Sequence, residues 1–513
     1  MSLVWTGALA AAIFQPVQVT GGAVTGVPGR DSSVTAFKGI PFAAPPVRDL
    51  RWREPQPVIS WKGVRKSAEF GASCIQTIHN ELQPWTYEFM THNQISEDCL
   101  YLNVWTPAKS AAEKRPVFVW IYGGAFNSGS AAVPLYDGGG LAKKGLVVVT
   151  FNYRVGVFGF LALAELTRES PHHASGNYGL LDQIAALRWV QANISHFGGD
   201  PTRVTVAGQS AGSISVHDLT ASPLAKGLFQ GAIMESGGST LGRIGIHIAP
   251  KMLAEAEADG EKFMQAQGVA TLAQLRALPW QKLTGTEPGL RFVPIVDGYL
   301  LPASIPTIFA EGRQNDIVSL TGINTGELQG LAGPQRAPAT VEAYQQETER
   351  RFGERAGEFL KLYPAAAEDE LKSALQESAR DGNVTALYLW AQARARTSKT
   401  PVYEYLWNHA LPGPDAPRYG AFHSSELPYV LNTLNMSDRP FTPQDREIAD
   451  VMSSYWANFV THGDPNGKGL AHWQPTGNRP EVMEVGNDFK PVPVAGSEAK
   501  FEFWKSFLLT SSE

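Results

Sequence analysis

Short runs of apolar residues recur along the chain, separated by segments in which apolar residues have helical spacing. Continuous apolar runs are typical of strands that are buried on both faces of a parallel sheet. They occupy residues 116–122, 146–153, 204–207 and 231–234, and further strands are predicted over 316–322 and 401–407. Between them, Leu180, Ile184 and Leu187 fall on one stripe of a helix over 179–194. This alternation predicts a mostly parallel sheet covered by helices on both faces.

Two stretches depart from this pattern. Residues 250–285 and 338–398 are rich in Ala, Glu, Gln and Arg, and they predict amphipathic helices such as 271–278 and 341–352. They interrupt the strands, so we expect helical insertions that pack over one end of the sheet. The remaining predicted elements are strands over 17–27, 34–40 and 100–105 and helices over 442–462 and 501–509.

Composition narrows the classes of protein. The chain has 513 residues, 43% hydrophobic and 18% charged, which is ordinary for a soluble globular protein. A length of this order allows roughly two to four domains, although large α/β folds also run long as one. The net charge of −6 and the lack of a Lys/Arg-rich run argue against a nucleic-acid partner. No stretch approaches the length of a membrane span.

The N-terminal residues 1–17 leave two interpretations open. Residues 3–14 are apolar and rich in small residues, and Ala8-Leu9-Ala10 resembles a signal-peptidase site, but a basic region before it is missing. The segment is either the remnant of an export signal or a first strand that follows an artificial start. The folded part is then expected over residues 18–513.

The most informative stretch is Gly208-Gln209-Ser210-Ala211-Gly212, which lies between the apolar run 204–207 and a predicted helix. G-x-S-x-G alone is a weak signal, because many matches are plain turns. A strand that turns sharply into a helix strains the turn residue and requires neighbours without side chains. This context therefore favours a nucleophile elbow, a turn that exposes the Ser210 hydroxyl beyond the ends of the strands.

A serine hydroxyl needs a histidine base, and the base needs a carboxylate that orients it. In α/β-hydrolases both follow the nucleophile in the chain, each just beyond a strand. His423, in a loop after the strand 401–407, is the first candidate for the base, with His409 second. Glu327 directly follows the strand 316–322 and is the first candidate for the acid, with Asp297 as its rival.

The chain contains two cysteines, Cys74 and Cys99, which are too few for a disulfide scaffold or a cysteine-only zinc site. They are either two buried thiols or one disulfide. A disulfide would close a loop of about 25 residues and contribute on the order of 3 kcal/mol.

At this point the chain resembles a known family, the type-B carboxylesterases, which include the cholinesterases. Residues 197–212 match the serine-active-site signature of that family, and residues 97–107 match its second signature. Further landmarks at 39–43, 152–154 and 176–179 extend the resemblance over most of the chain. The resemblance, closest to a carboxylesterase of the bacterial type, implies an α/β-hydrolase fold: one domain with a large central sheet and helical insertions over the active site.

Carried over residue by residue, the resemblance assigns several roles. It implies Ser210 as nucleophile, Glu327 as acid and His423 as general base, and it implies a Cys74–Cys99 disulfide. Backbone N–H groups of the residues at 124, 125 and 211 would form the oxyanion hole, and one serine would hydrogen-bond the triad acid. These residues are Gly124, Ala125, Ala211 and Ser236.

Departures from the cholinesterases bear on the substrate. Gln209 replaces a glutamate, which removes a negative charge beside the site. No aromatic pair follows Glu327, and quaternary ammonium groups need aromatic cages. Three aromatic residues in the loop between the cysteines could supply rings, although aromatics in exposed loops more often serve packing; they are Trp85, Tyr87 and Phe89. We conclude that the chain is not a choline esterase.

The acyl pocket is predicted from a V-P-x-x-D-G stretch at 293–298. In the cholinesterases two phenylalanines narrow the pocket shortly before this stretch, and here Pro288 and Leu290 align with them. Together with Phe292, Leu328 and Leu331 they predict a roomy apolar pocket that favours butyryl to hexanoyl esters over acetyl esters.

The leading hypothesis is a serine carboxylesterase that forms an acyl-enzyme from small-molecule esters, without a metal or organic cofactor. The alternatives are a catalytically inactive binding or adhesion module on the same fold, and an amidase or lactonase that uses the same site. The disulfide that the resemblance implies favours a secreted or periplasmic protein. The natural ester and the oligomeric state are left open.

Overall fold

An 11-stranded sheet forms the centre of the described part of the chain. A computed structural model describes residue 13 and residues 15–79, 81–237, 251–285, 289–327 and 338–510. Its strands in chain order are β1 Val17–Val19, β2 Gly22–Thr25, β3 Val27–Pro28, β4 Thr35–Pro41, β5 Val64–Lys66, β6 Tyr101–Thr106, β7 Arg115–Ile121, β8 Val147–Phe151, β9 Gly199–Gln209, β10 Gly231–Glu235, β11 Lys251–Met252, β12 Ile295–Val296, β13 Val318–Asn324, β14 Val402–Trp407, β15 Glu481–Val485 and β16 Lys490–Pro493.

Helices fill the segments between these strands. In chain order the α-helices are α1 Gly139–Lys143, α2 Gly156–Phe160, α3 Ala164–Glu169, α4 Tyr178–Asn193, α5 Ala211–Ala221, α6 Leu253–Ala266, α7 Leu272–Ala277, α8 Trp280–Leu283, α9 Ile305–Ala310, α10 Val341–Phe352, α11 Ala356–Leu362, α12 Glu368–Arg394, α13 Ala416–Tyr419, α14 Leu427–Val430, α15 Pro443–His462 and α16 Glu498–Thr510.

The strand order of the large sheet is β16-β15-β14-β13-β10-β9-β7-β8-β6-β4-β3. From β15 to β8 every neighbouring pair is parallel, while β16 and the strands from β6 to β3 are antiparallel to their neighbours. The parallel centre and its apolar runs confirm the predicted α/β architecture, since strands covered on both faces are buried throughout. The carboxyl ends of the parallel strands meet at one edge of the sheet, which is where such folds bind ligands.

The two faces of the sheet pack against different helices. On one face, Leu187 and Val190 of α4 belong to a core with Val119 and Val206. On the other face, Trp456 of α15 packs with the aromatic residues of β7 and β14. A third core lies between α12, α16 and the far side of β13 and β14.

The predicted elements agree with this arrangement. Each apolar run lies in a strand of the large sheet, and 250–285 and 338–398 are mostly helical where they are described, in α6 to α8 and α10 to α12, with the short strand β11 at the start of the first. The predicted helix over 341–352 coincides with α10. Of the segment at 1–17, residues 1–12 and 14, which include Ala8-Leu9-Ala10, lie outside the described residues.

Cys74 and Cys99 form a disulfide, which confirms the pairing implied by the family resemblance. Both sulfur-bearing residues are buried. The bond ties the start of a long loop to Cys99, two residues before the start of β6, so the loop is anchored at both ends. None of the described helices has both the length and the apolar character that crossing a membrane requires.

The sheet also carries acidic side chains in its interior. Glu404 lies in the middle of β14, on the face that α12 covers, and its carboxyl is buried beside Thr476. Burial raises the pKa of Glu404 from 4.5 to about 8. The native protein therefore keeps this carboxyl protonated in a pH range where the unfolded chain has released the proton.

We expect the Glu404→Gln variant to be more stable than the unmodified protein at alkaline pH. The folded-state pKa is raised, so the free energy of unfolding falls as pH rises from 4.5 to about 8 and then levels off. The neutral amide removes this loss, which amounts to a few kcal/mol at most because one pKa unit is worth about 1.4 kcal/mol. Denaturant unfolding at pH 6 and pH 9 measures the difference. The matched control is Glu481→Gln, an exposed glutamate on neighbouring β15, which should change stability equally at both values.

Candidate active site

A sharp turn joins β9 to α5, and Ser210 is the turn residue. Its backbone has φ 60° and ψ −123°, a sparsely populated region for a residue with a side chain. A Cβ atom on Gly208 would lie 2.5 Å from the backbone of Gly212, and one on Gly212 would overlap the carbonyl oxygen of Ile121. The two glycines are therefore a steric requirement of the turn, as the G-x-S-x-G pattern predicts.

A second tight loop follows β7 and faces the turn. A Cβ atom on Gly123 would lie 2.6 Å from the carbonyl oxygen of Gln209, so the loop can approach Ser210 only with glycine there. Gly124 and Ala125 both have positive φ, 113° and 54°. Within the described part of the chain, the backbone N–H groups of Gly124, Ala125 and Ala211 donate no hydrogen bond. Three free donors thus border the serine, as stabilisation of an oxyanion requires.

Two tyrosines brace this loop. Tyr122 and Tyr153 stack with ring centroids 4.4 Å apart. Each hydroxyl donates to the carbonyl oxygen of the other residue, at 3.0 Å from Tyr122 and 2.9 Å from Tyr153. Both residues are completely buried. This reciprocal pair fixes the end of β7 against the end of β8 and leaves the following glycines little freedom.

A buried carboxylate–imidazole pair lies beside the serine. Glu327 Oε2 is 2.5 Å from His423 Nδ1, and Glu327 Oε1 accepts from the backbone N–H of Asn324 at 2.9 Å. Gly326 and Phe422 form an isolated parallel bridge that brings the two loops together. A carboxylate on Nδ1 holds the imidazole so that Nε2 is free to act as a base.

Gln209 makes the nearest polar contact to the free side of the imidazole. Its amide Nε2 lies 3.2 Å from His423 Nε2 and 3.4 Å from Nδ1. Among the described residues, Ser210 Oγ makes no hydrogen bond, although Ser210 and His423 border the same cavity. Catalytic hydrogen bonds of this kind are often open before substrate binds. The contact between Gln209 and the imidazole was not predicted from the sequence.

His409 and Asp297, the other candidates for the base and the acid, have hydrogen-bond partners of their own, and a further histidine is buried away from solvent. His409 contacts Asp445 and Asn487, at 3.0 Å and 2.7 Å. The side chain of Asp297 accepts from backbone N–H groups of its own loop, at 3.0 Å and 2.9 Å. His217 is buried in α5 against the ring of Trp390. Burial and the nearby Arg394 lower the pKa of His217 to about 3, so it stays neutral.

A cavity of about 300 Å³ opens between Ser210, His423 and the disulfide-bonded loop. The lining residues that the structure describes are Gln76, Thr77, Ile78, His79, Leu82, Trp85, Phe89, Met90, Thr91, Gly123, Gly124, Ala125, Ser128, Gly129, Val133, Tyr136, Gln209, Ser210, His423, Ser424 and Leu427. The set combines eight apolar side chains with polar ones, and it includes no acidic one.

Trp85 and Phe89 therefore line the cavity. Aromatic residues in exposed loops more often serve packing, so the sequence alone did not favour this role. The indole N–H of Trp85 donates to the backbone carbonyl of His423 at 3.1 Å and to Ser424 Oγ at 3.2 Å. Its ring stands edge-on to the imidazole, with centroids 6.3 Å apart. Tyr87 is 63% exposed and stacks on His92 at the outer face of the loop.

Neither of the predicted acyl-pocket residues that the structure describes lines this cavity. Pro288, Leu328 and Leu331 lie outside the described residues. Leu290 and Phe292 are described but do not belong to the cavity lining. Phe292 is buried, with its ring 5.3 Å from that of Phe263. The acyl pocket stays a prediction.

Ser236 also differs from the expectation. Its buried hydroxyl contacts Tyr405, and among the described residues no hydrogen bond joins it to Glu327; its backbone N–H donates to the carbonyl of Gly322 at 2.8 Å. The side chains of His, Cys, Asp and Glu form no group of three that could hold a metal ion within the described ranges.

Known proteins resemble this chain over most of its length. A sequence model of the carboxylesterase family matches residues 15–504. A fumonisin B1 esterase of Sphingopyxis macrogoltabida is 39% identical, over 91% of this chain and 85% of that protein. A para-nitrobenzyl esterase of Bacillus subtilis (strain 168) is 35% identical, over 85% of this chain and 88% of its own. A cocaine esterase of Homo sapiens is 34% identical, over 95% and 89%.

We expect the Trp85→Phe variant to lower the reactivity of Ser210. An aromatic ring stays, but the indole hydrogen bonds to the His423 backbone carbonyl and to Ser424 Oγ are lost, so the imidazole is less well oriented toward the serine. Labelling of Ser210 by a fluorophosphonate probe, followed by mass spectrometry, should slow by roughly tenfold, the equivalent of one neutral hydrogen bond. Tyr87→Phe, on the exposed face of the same loop, is the control. Equal labelling rates in both variants would contradict the orienting role of the indole.

Proposed function

The chain belongs to the carboxylesterase family, and we propose that Ser210, His423 and Glu327 carry out its catalysis. The protein is a carboxylic-ester hydrolase, and its substrates are small-molecule esters. The observation that carries the proposal is the buried 2.5 Å contact between Glu327 and His423, beside a serine on a strained turn. Such a constellation serves acyl transfer.

In the first half of the reaction, Ser210 Oγ attacks the ester carbonyl carbon and His423 Nε2 takes the hydroxyl proton. The carbonyl oxygen becomes an oxyanion, which the N–H groups of Gly124, Ala125 and Ala211 stabilise. The imidazolium is stabilised by Glu327, which itself stays ionised. When the C–O bond to the alcohol breaks, His423 returns the proton to the leaving oxygen, and the acyl group remains on Ser210.

In the second half, a water molecule takes the place of the alcohol. His423 removes its proton, the water oxygen attacks the acyl carbon, and the bond to Ser210 breaks as the serine regains a proton. In both halves of the reaction the Gln209 amide must leave its position beside His423 Nε2, because that nitrogen takes up and returns the proton. The amide is neutral and on a flexible side chain, so it can move away from Nε2 when the substrate carbonyl enters.

The substrate class follows from the cavity. The leaving alcohol receives its proton from His423, so it lies on the side of the imidazole that faces the disulfide-bonded loop. That side is lined by Trp85, Phe89 and Leu427 and carries no acidic side chain among the described residues. We infer that the alcohol part of the substrate is neutral and largely apolar. On the acyl side, the preference for butyryl to hexanoyl groups remains part of the proposal.

The organisation and location of the protein are also proposals. We infer that residues 18–513 form one α/β-hydrolase domain, because a single large sheet runs from β3 to β16. We also infer a secreted or periplasmic location. The Cys74–Cys99 disulfide supports it, since such bonds persist in oxidising compartments and are rare in reducing ones.

The first test removes the nucleophile. We expect Ser210→Ala to abolish hydrolysis of a chromogenic butyrate ester, by roughly 10⁴-fold or more in kcat, and His423→Ala to do nearly the same. The double variant should be little worse than either, because the residues act as a unit. Circular dichroism checks that each variant is folded. Turnover by His423→Ala close to that of the unmodified enzyme would move the base to another histidine.

A second test changes the charge beside the base. We expect Gln209→Glu to raise the preference for a choline ester over its neutral isostere, the 3,3-dimethylbutyl ester of the same acid. A carboxylate in the cavity wall attracts the cationic alcohol, and a partly screened charge should shift the ratio of kcat/KM by roughly tenfold. Gln209→Met, similar in size and uncharged, should leave the ratio unchanged. A ratio that is also unchanged in Gln209→Glu would place the cationic group away from this wall.

A further inference from the structure

A row of four residues crosses the sheet behind the candidate triad. Gln209 pairs with Glu235, Glu235 pairs with Gly322, and Gly322 pairs with Tyr405 in the parallel registers of β9, β10, β13 and β14. Directly paired residues point to the same face of a sheet. Gly322 has no side chain, and a Cβ atom there would overlap the ring of Tyr405. The tyrosine ring thus extends over the glycine toward Glu235.

Glu235 is also joined to the nucleophile through its backbone. Its carbonyl oxygen accepts from the N–H of Ser210 at 2.9 Å. Its side chain is completely buried, and Oε1 accepts from the indole N–H of Trp456 at 2.7 Å. The other oxygen, Oε2, has no partner. A change in the protonation of this carboxyl therefore occurs on the strand next to β9, which ends at Gln209 just before Ser210.

Buried polar side chains collect around this carboxyl and behind Glu327. Within the described part of the chain, Glu235 Oε2, Asn324 Oδ1 and Glu426 Oε1 have no hydrogen-bond partner, and Tyr405 hydrogen-bonds to Ser236. Asn324 Nδ2 donates to the second oxygen of Glu426 at 2.5 Å, and Asn324 N–H donates to Glu327. Buried polar atoms without partners are costly, and such groups usually share ordered water. The set is large enough to form one network with the triad acid.

The charges in this region do not balance if every acid is ionised. From the surrounding elements, the titratable groups that interact with Glu235 are Glu426, Tyr136 and Tyr405, and Glu426 in turn interacts with Glu327 and His423. Among these, only His423 can carry a positive charge, and Glu327 pairs with it. Burial raises the pKa of Glu235 to about 8 and that of Glu426 to about 8.

We propose that Glu235 is a positioning residue that acts as a neutral carboxylic acid. Its proton is donated into the network shared with Ser236, Tyr405 and Glu426, and this network holds Glu327 and His423 in register with Ser210. The proposal rests on the proposed function of the triad. It assigns to Glu235 a task that a carboxylate could not perform, because an ionised group has no proton to donate and repels Glu426.

The consequence is an alkaline limb in the activity. Once Glu235 loses its proton, the network changes and the triad acid is held less well. We expect kcat of the unmodified enzyme, corrected for spontaneous hydrolysis, to fall by about tenfold between pH 7 and pH 10, the equivalent of one pKa unit of coupling. KM should change little, because Glu235 does not line the cavity.

The test compares pH profiles of variants. In Glu235→Gln the alkaline fall should disappear, and kcat at pH 7 should drop by no more than about threefold, since an amide still donates a hydrogen bond. Glu235→Leu, which leaves Trp456 without its acceptor, should lose at least tenfold in kcat at all pH values. Glu426→Gln should keep an alkaline fall. Glu404→Gln, a buried acid on the opposite face of β14, is the matched control and should keep the profile of the unmodified enzyme.

A readout without turnover separates this proposal from the proposed function. At pH 7 the infrared carbonyl absorption of protonated carboxyls, which also includes those of Glu404 and Glu426, should be equal in the unmodified protein and Ser210→Ala and weaker by one carboxyl in Glu235→Gln. This difference between the unmodified protein and Glu235→Gln should vanish above about pH 9. An alkaline fall that persists in Glu235→Gln, or that disappears in Glu426→Gln instead, would overturn the proposal, as would an infrared band that Glu235→Gln leaves unchanged.

Discussion

The structure depends on a close approach of backbone to backbone at the ends of two neighbouring strands. Gly212 lies against the carbonyl oxygen of Ile121, and Gly123 lies against that of Gln209. No side chain fits at either contact. Ser210 is consequently forced into a strained conformation, a state that costs on the order of 1–3 kcal/mol and persists only where the surroundings over-determine it. Here the long parallel pairing of β7, β9 and β10 supplies that rigidity.

The same approach determines the chemistry of the site. It brings the free N–H groups of the β7 loop and of the first turn of α5 to one side of Ser210. The base and the acid come from loops after β14 and β13, further along the sheet. Because all of these strands are parallel, their carboxyl ends meet at one edge, and residues more than 200 positions apart become neighbours. The 214-residue separation between Gln209 and His423 is an example.

Much of this could be predicted from the sequence, for identifiable reasons. Apolar runs and helical stripes are local signals, and they gave the strands, the insertions and the position of the elbow. The partners of a residue across the sheet are not local. Nothing in the sequence near Glu235 shows that Gly322 and Tyr405 lie beside it. The aromatic residues of the disulfide-bonded loop lie two positions apart, at 85, 87 and 89. This spacing does not show which of their side chains face the cavity, because the loop is not a strand of a sheet, and only the packed structure shows Trp85 beside His423.

One side chain, that of Trp85, both orients the base and shapes the substrate cavity. Its ring forms part of the apolar wall, and its N–H holds the backbone of His423. The loop that carries it is anchored by the Cys74–Cys99 bond, so the indole keeps its place although Leu82 nearby is 53% exposed. A change of alcohol specificity at Trp85 therefore disturbs the imidazole as well. Phe89 and Leu427 line the same cavity without contacting that backbone by a hydrogen bond, so specificity can vary there at less cost to catalysis.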